Sequence, residues 1–241
     1  MDRTLIRIAG ADRDKFLGGL LTRDVPAEGT GYAALLTPQG KYLCDFVTFR
    51  EGDAIWLDAP APLAEDALRR LAMYRLRADV SVEATDRPVR RGTGPAPDGA
   101  RADPRPGMGW RLYDATGDDG TDWDACRVAH GVPQAGAELI PGDSYILEMG
   151  FERLGGVDFR KGCYVGQEVT ARMKHKTELR KGLAVVALEG AAVPGTPLIA
   201  EGRAAGTLHT VAGDRALAYL RFERATGEMR AGDASVRRSD G

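Results

Sequence analysis

The sequence predicts an α+β fold built on an antiparallel sheet, with a small β-barrel appended at its C-terminal end. Three observations carry this. Short strands and helices interleave through the first half and are joined by tight turns rather than long crossovers. A helix beginning at Pro62 gathers Leu63, Ala67, Leu68, Leu71 and Tyr74 on one broad face. From about Gly182 onward the short runs "LAVVAL", "TPLIA", "AAGTLHTV" and "RALAYLRF" are separated by glycine and proline turns, the pattern of a small barrel or sandwich.

In chain order, "TLIRIAG" alternates as a strand does, and Asp12 stands as the N-cap before Phe16, Leu17, Leu20 and Leu21 at helical spacing. A turn at Pro38 to Gly40 leads into alternation through Leu43, Asp45, Val47 and Phe49. A tight Glu51-Gly52-Asp53 turn and the strand "AIWL" follow. After the Pro62 helix, "ADVSVEA" returns as a strand. Residues 86–109, rich in proline, glycine and arginine without apolar period, predict a loop or linker with its arginines on a solvated surface. "TDWDACRVAHG" predicts a short helix capped by Thr121 or Asp122 and stopped by Gly131. The tail "RRSDG" is expected to be disordered.

The chain has 241 residues and a net charge of -2, so no bulk attraction to nucleic acid or an anionic membrane is built in. Cys44, Cys126 and Cys163 are too few and too scattered for a disulfide framework or a C-x-x-C metal pair. No segment approaches the ~18 uninterrupted apolar residues of a membrane span, and the N-terminus lacks a signal-peptide core. These features predict a cytoplasmic protein, free of membrane and of stable nucleic-acid complexes, and monomeric.

The densest chemistry lies in "KGCYVGQE", Lys161 to Glu168. A helix starts after Gly166 with Glu168 in its first turn, and Cys163 lies just upstream near Lys161 and Arg160. Cys163 is either a thiol tuned by those charges or a small buried hydrophobe between two glycines. His175, further along that helix, could serve it as a hydrolase base. Cys126 and His130 share a helix face, but with no second ligand pair packing is the better reading, and no metal site is predicted. Glu148, amid Ile146, Leu147 and Met149, is either solvent-exposed or turned into a pocket. There it would face a donor-rich ligand such as a pterin. Asp45 poses the same choice.

Taken together, "GADRDKFLGGLLTRDV", "YAALLTPQGKYLCDF", "YRLRADVSVE", "DSYILEMGF" and "KGCYVGQEVTARMKHK" resemble the YgfZ family of folate-binding proteins, relatives of the glycine cleavage T-protein, an aminomethyltransferase. The cysteine motif is the most specific element, since T-proteins proper lack it. The resemblance implies a T-protein-like folate-binding region over 1–180 in two subdomains, the second shortened across 85–145, and a β-barrel over 181–241. It implies tetrahydrofolate in a central cavity with Glu148 on the pterin, Cys163 at the cavity mouth, and Lys161, Gln167, Glu168 and Arg172 as binding residues beside it. The implied role is folate-dependent support of iron–sulfur cluster assembly or repair, with iron–sulfur client or assembly proteins as partners and tRNA-modifying enzymes among the clients. The alternative is folate-dependent aminomethyl or one-carbon transfer using Asp45. Where T-proteins show two adjacent acids, this chain shows Cys44-Asp45.

Overall fold

The alternation near the N-terminus becomes β1 (Arg3–Ala9) in the computed structural model, which describes residues 2–117, 119–175 and 179–239. It pairs antiparallel within a five-stranded sheet of order β2 (Thr30–Leu36), β3 (Tyr42–Glu51), β4 (Ala54–Pro60), β1, β5 (Ser81–Thr85). Helices α1 (Arg13–Gly18) and α2 (Ala61–Arg75) cover one face, packing Phe16, Leu17, Ala64, Ala67 and Leu71 against Ile6, Ile8, Phe46 and Leu57. On the other face Tyr32, Ala34 and Tyr42 meet Leu139, Ile146, Phe151 and Tyr164, from an irregular segment rich in turns. Both faces of the central strands are therefore covered. That is why β4 is buried at every residue.

Two local expectations change in detail. Asp12 makes no side-chain bond to the first turn of α1; its carboxylate accepts the Asp79 N–H at 2.9 Å and ties the helix entry to the start of β5 instead. Tyr74, expected on the buried face of α2, is 39% exposed.

The larger correction concerns residues 86–109. They hold β6 (Val89–Gly92) and β7 (Arg101–Ala102), which flank β8 (Trp110–Tyr113) in a three-stranded sheet. Arginine content suggested a solvated surface, yet Arg105 is buried against Asp103; Arg111 of β8, just past the segment, is buried between Asp58 and Asp103. Buried ion pairs erase the hydrophobic periodicity on which strand recognition rests. Next comes α3 (Trp123–His130), with the Asp122 carboxylate accepting the Ala125 N–H at 3.0 Å and Gly131 closing it in the left-handed conformation.

After α4 (Gln167–His175), strands β9 (Lys181–Glu189), β10 (Pro197–Ala200), β11 (Arg203–Ala212), β12 (Arg215–Arg221), β13 (Met229–Ala231) and β14 (Ala234–Arg238) close a six-stranded barrel. Its interior is filled by Val186, Leu208, Leu220, Met229 and Val236, and closure leaves no open sheet edge. Arg237 and Arg238 belong to β14, so the tail expected as disordered begins as strand; residues 240 and 241 lie outside the described residues.

Candidate functional site

The "KGCYVGQE" segment is a surface loop braced at both ends. Lys161 Nζ donates to the carbonyls of Gly18 at 2.6 Å and Leu21 at 2.7 Å and lies 3.4 Å from Asp24. The Val165 N–H donates to the Gly19 carbonyl at 3.1 Å, so the loop is fastened to the turn that ends α1. At its far end Gly166 (φ +86°) lies on the β2–β3 turn: a Cβ there would come within 2.6 Å of the Thr37 carbonyl oxygen. Gly40, in that turn, would reciprocally bring a Cβ to 2.9 Å from Val169. Two glycines far apart in sequence thus answer one requirement, close backbone approach.

Between these braces Gly162 and Cys163 are exposed, with Tyr164 buried beneath them. The thiol is therefore not a packed core group. The Lys161 side chain, expected beside the thiol, is committed to other partners. Its ammonium is engaged with main-chain carbonyls and Asp24, and burial draws it below the usual lysine range despite Asp24. Gln167, half-buried, opens α4, and Glu168 and Arg172, four apart, are both exposed.

No hydrogen bond joins Cys163 to His175 among the described residues. His175 ends a nine-residue helix whose start lies beyond Cys163, and such a helix is about 13 Å long. Cys44 is buried, with its thiol pushed well up, first by burial and then by Asp45. The Cys126 thiol is occupied with the Gly107 carbonyl at 3.0 Å, and His130 Nδ1 is 2.9 Å from the Cys126 carbonyl. Among the described residues no group of three or more His, Cys, Asp or Glu could hold a metal ion, and no helix is long and apolar enough to cross a membrane.

Asp45 and Glu148 do not share one cavity. Asp45 is buried in β3, its Oδ1 accepting from the Tyr42 hydroxyl at 2.7 Å and its Oδ2 from Tyr32 at 3.1 Å. It lines a crevice of about 20 Å³ with Arg3, Arg91, Arg105, Arg127 and Trp123. Glu148 lines a separate cavity of about 350 Å³ with Lys41, Tyr145, Lys181, His209 and Tyr219. The wall between them is a buried ion pair: Arg127, on the crevice side, donates through Nη1 to Glu138 Oε2 at 2.9 Å, and Glu138 lines the Glu148 cavity. Cys163 lines neither space, so the expected placement of the thiol at the mouth of a single folate cavity does not hold.

The Glu148 cavity nonetheless suits a pterin ring. Its volume falls in the range of small-molecule sites. Glu148 Oε2 accepts from the Tyr219 hydroxyl at 2.6 Å, while Oε1 has no hydrogen bond among the described residues. Lys41 stands 3.5 Å over the Tyr145 ring.

Sequence reasoning missed the residues that set these environments: Tyr32 and Tyr42 on Asp45, Tyr219 on Glu148, and the arginines of the crevice. Tyr42 stands three residues before Asp45 on β3 and Tyr32 on the neighbouring β2, and the register of these strands shifts between Leu35 and Leu36. Only the alternation of polar tips within buried strands hinted at them.

Residues 180–240 match the family of CAF17 C-terminal beta-barrel domains. The chain is similar to the mitochondrial iron–sulfur cluster assembly factor IBA57 of Mus musculus, 32% identical with 94% of this chain and 78% of that protein covered. The Homo sapiens counterpart is 31% identical over the same shares, and a Phaeosphaeria nodorum homologue is 30% identical, covering 81% of this chain and 57% of that one. The glycine cleavage system aminomethyltransferase T of Bartonella henselae superposes with a TM-score of 0.73 at 12% identity, over 99% of this chain and 83% of that one, so the fold is of the T-protein type. These curated relatives bear the IBA57 name rather than the YgfZ one. Their names also place them in mitochondria, which overturns the cytoplasmic expectation. Unpaired cysteines indicate a reducing compartment without saying which.

Proposed function

The chain belongs to the IBA57-like iron–sulfur cluster assembly factors, and from that premise we propose that Cys163 supplies one thiolate to a cluster shared with a partner protein. The observation that carries this reading is the placement of the thiol: exposed, alone, and held on a loop braced by Lys161 and the Gly40–Gly166 contact. One thiolate does not hold a cluster, because iron–sulfur clusters take about four protein ligands. The remaining ligands come from the partner, an iron–sulfur carrier or client presenting its own thiolates. Glu168 and Arg172, exposed on α4 beside the thiol, give that partner a polar surface to meet. Iron–sulfur enzymes, those that modify tRNA among them, are the clients this reading expects.

The Glu148 cavity is read as the site of a tetrahydrofolate ring. Glu148 would accept the pterin N–H groups, with Tyr219 holding the carboxylate in place through its hydroxyl. A bound reduced folate would supply one-carbon or reducing chemistry there. Aminomethyl transfer through Asp45 has less support, since both its oxygens are taken by tyrosines and its crevice of about 20 Å³ is walled off from that cavity.

The test pairs two variants. Anaerobic calorimetric titration with tetrahydrofolate should show binding to the parent and to Cys163→Ala, and loss of binding in Glu148→Ala. In cells lacking the chain, Cys163→Ala should fail to restore iron–sulfur enzyme activity. Restoration by Cys163→Ala would remove the cluster reading, and undiminished binding by Glu148→Ala would remove the pterin reading.

A further inference from the structure

The turn after α1 that fastens the Cys163 loop also forms one wall of a groove. Gly19, whose carbonyl accepts the Val165 N–H at 3.1 Å, lines a cavity of about 480 Å³ together with Val165, Phe16, Leu20 and the chain that ends α2. Val165 is two residues from Cys163, a reach of about 7 Å along the backbone, so groove and exposed thiol are neighbours on one surface. We propose that this groove is the docking site for an acidic segment with an apolar tip, carried by the same partner protein that shares a cluster with Cys163. The partner's identity rests on that reading of the thiol.

The apolar half of the argument comes from the end of α2. Met73, Tyr74 and Leu76 are three of the six large hydrophobic side chains left exposed among the described residues, and they stand within four consecutive positions. Leu76 is 86% exposed at φ +43° and ψ −107°, a backbone conformation that glycine or asparagine takes more easily than leucine. Neither burial nor backbone preference accounts for a leucine there. An apolar contact from outside does.

Charge supplies the other half. Lys15, Arg75 and Arg77 line the same groove, and none of the three makes an ion pair or side-chain hydrogen bond among the described residues. Against them stands one lining carboxylate, Asp12, which already accepts the Asp79 N–H at 2.9 Å. Exposed cations around apolar side chains complement a segment that carries carboxylates beside an apolar tip. A small-molecule site would instead turn its polar groups inward to orient the ligand, whereas these three cations are exposed.

The experiment titrates the whole chain with a cluster-free iron–sulfur carrier protein from the same cell and follows association at low and high salt. Cys163→Ser should bind it within about twofold of the parent, because no cluster is present to be ligated. Leu76→Asn should weaken binding about tenfold without lowering Tm, since asparagine suits that backbone. Arg75→Glu combined with Arg77→Glu should slow association about tenfold at low salt, and the difference should shrink at high salt. No binding by the parent, or binding by both groove variants equal to the parent's, overturns the proposal. So does sedimentation showing that the parent pairs with itself through Leu76, which would give the groove to a second copy. Cluster retention is read separately: if Cys163→Ser keeps a shared cluster while the groove variants lose affinity, the cluster reading falls and the groove stands. The reverse pattern keeps the cluster reading and removes the groove.

Discussion

At the scale of single residues, the molecule separates its charged groups into those that hold the fold and those that face outward. Burial pushes the Asp58 carboxyl up, but Arg111 and Arg3 outweigh it and hold the group below the usual carboxylate range; Arg105 and Arg111 do the same to Asp103. Both folded values lie below the unfolded value of about 3.9, so the stabilisation is fully present above that pH and is lost as pH falls through the folded range. Thermal unfolding should therefore change little from pH 7 to about pH 5 and then fall steeply below about pH 4. Asp103→Asn should flatten that fall. Asp58→Ala, which strands Arg111 and Arg3 in the interior, should cost about 3–5 kcal/mol in urea unfolding. Cys163→Ala, by contrast, should stay within about 0.5 kcal/mol of the parent, because the thiol is exposed and packs on nothing essential. The cysteine itself was legible in the sequence through its motif. The arginine network was not, because buried ion pairs leave no apolar periodicity.

At the scale of elements, the thiol loop depends on two fastenings. Gly166→Ala introduces a Cβ 2.6 Å from the Thr37 carbonyl oxygen at a φ of +86°, so α4 and the β2–β3 turn must part. The expected cost is about 1–3 kcal/mol, together with faster reaction of Cys163 with a thiol reagent as the loop loosens. Lys161→Met removes the two carbonyl contacts at 2.6 and 2.7 Å and should loosen the other end of the loop similarly. An unchanged thiol reaction rate in both variants would show that the loop is not held in this way. The turn "TPQGK" and the motif "YVGQE" were each visible as punctuation in the sequence. Their mutual contact was invisible, since it joins segments more than a hundred residues apart. The sheet and both flanking helices followed from alternation and helical spacing, whereas β6 to β8 hid behind arginine.

At the scale of the whole molecule, the barrel is joined to the rest at the sites where function is proposed. Glu138 accepts from Arg127 of α3 and from the Thr210 hydroxyl of β11 at 2.5 Å, and Glu148 meets Tyr219 of β12. Glu138→Ala should therefore destabilise the chain by about 3–5 kcal/mol, because Arg127 remains buried without its main partner. Such joints were beyond the sequence, which showed where barrel strands begin but not what they rest against. The family is shared with assembly factors that carry the IBA57 name, and the fold with an aminomethyltransferase. Within that fold this chain carries an exposed thiol on a loop braced at both ends. The most direct test is native mass spectrometry of the anaerobically reconstituted chain mixed with an iron–sulfur carrier protein, for the parent and for Cys163→Ser. The account predicts a one-to-one complex retaining iron and sulfide with the parent and its loss with Cys163→Ser. A cluster-bearing complex of equal abundance with Cys163→Ser would contradict it.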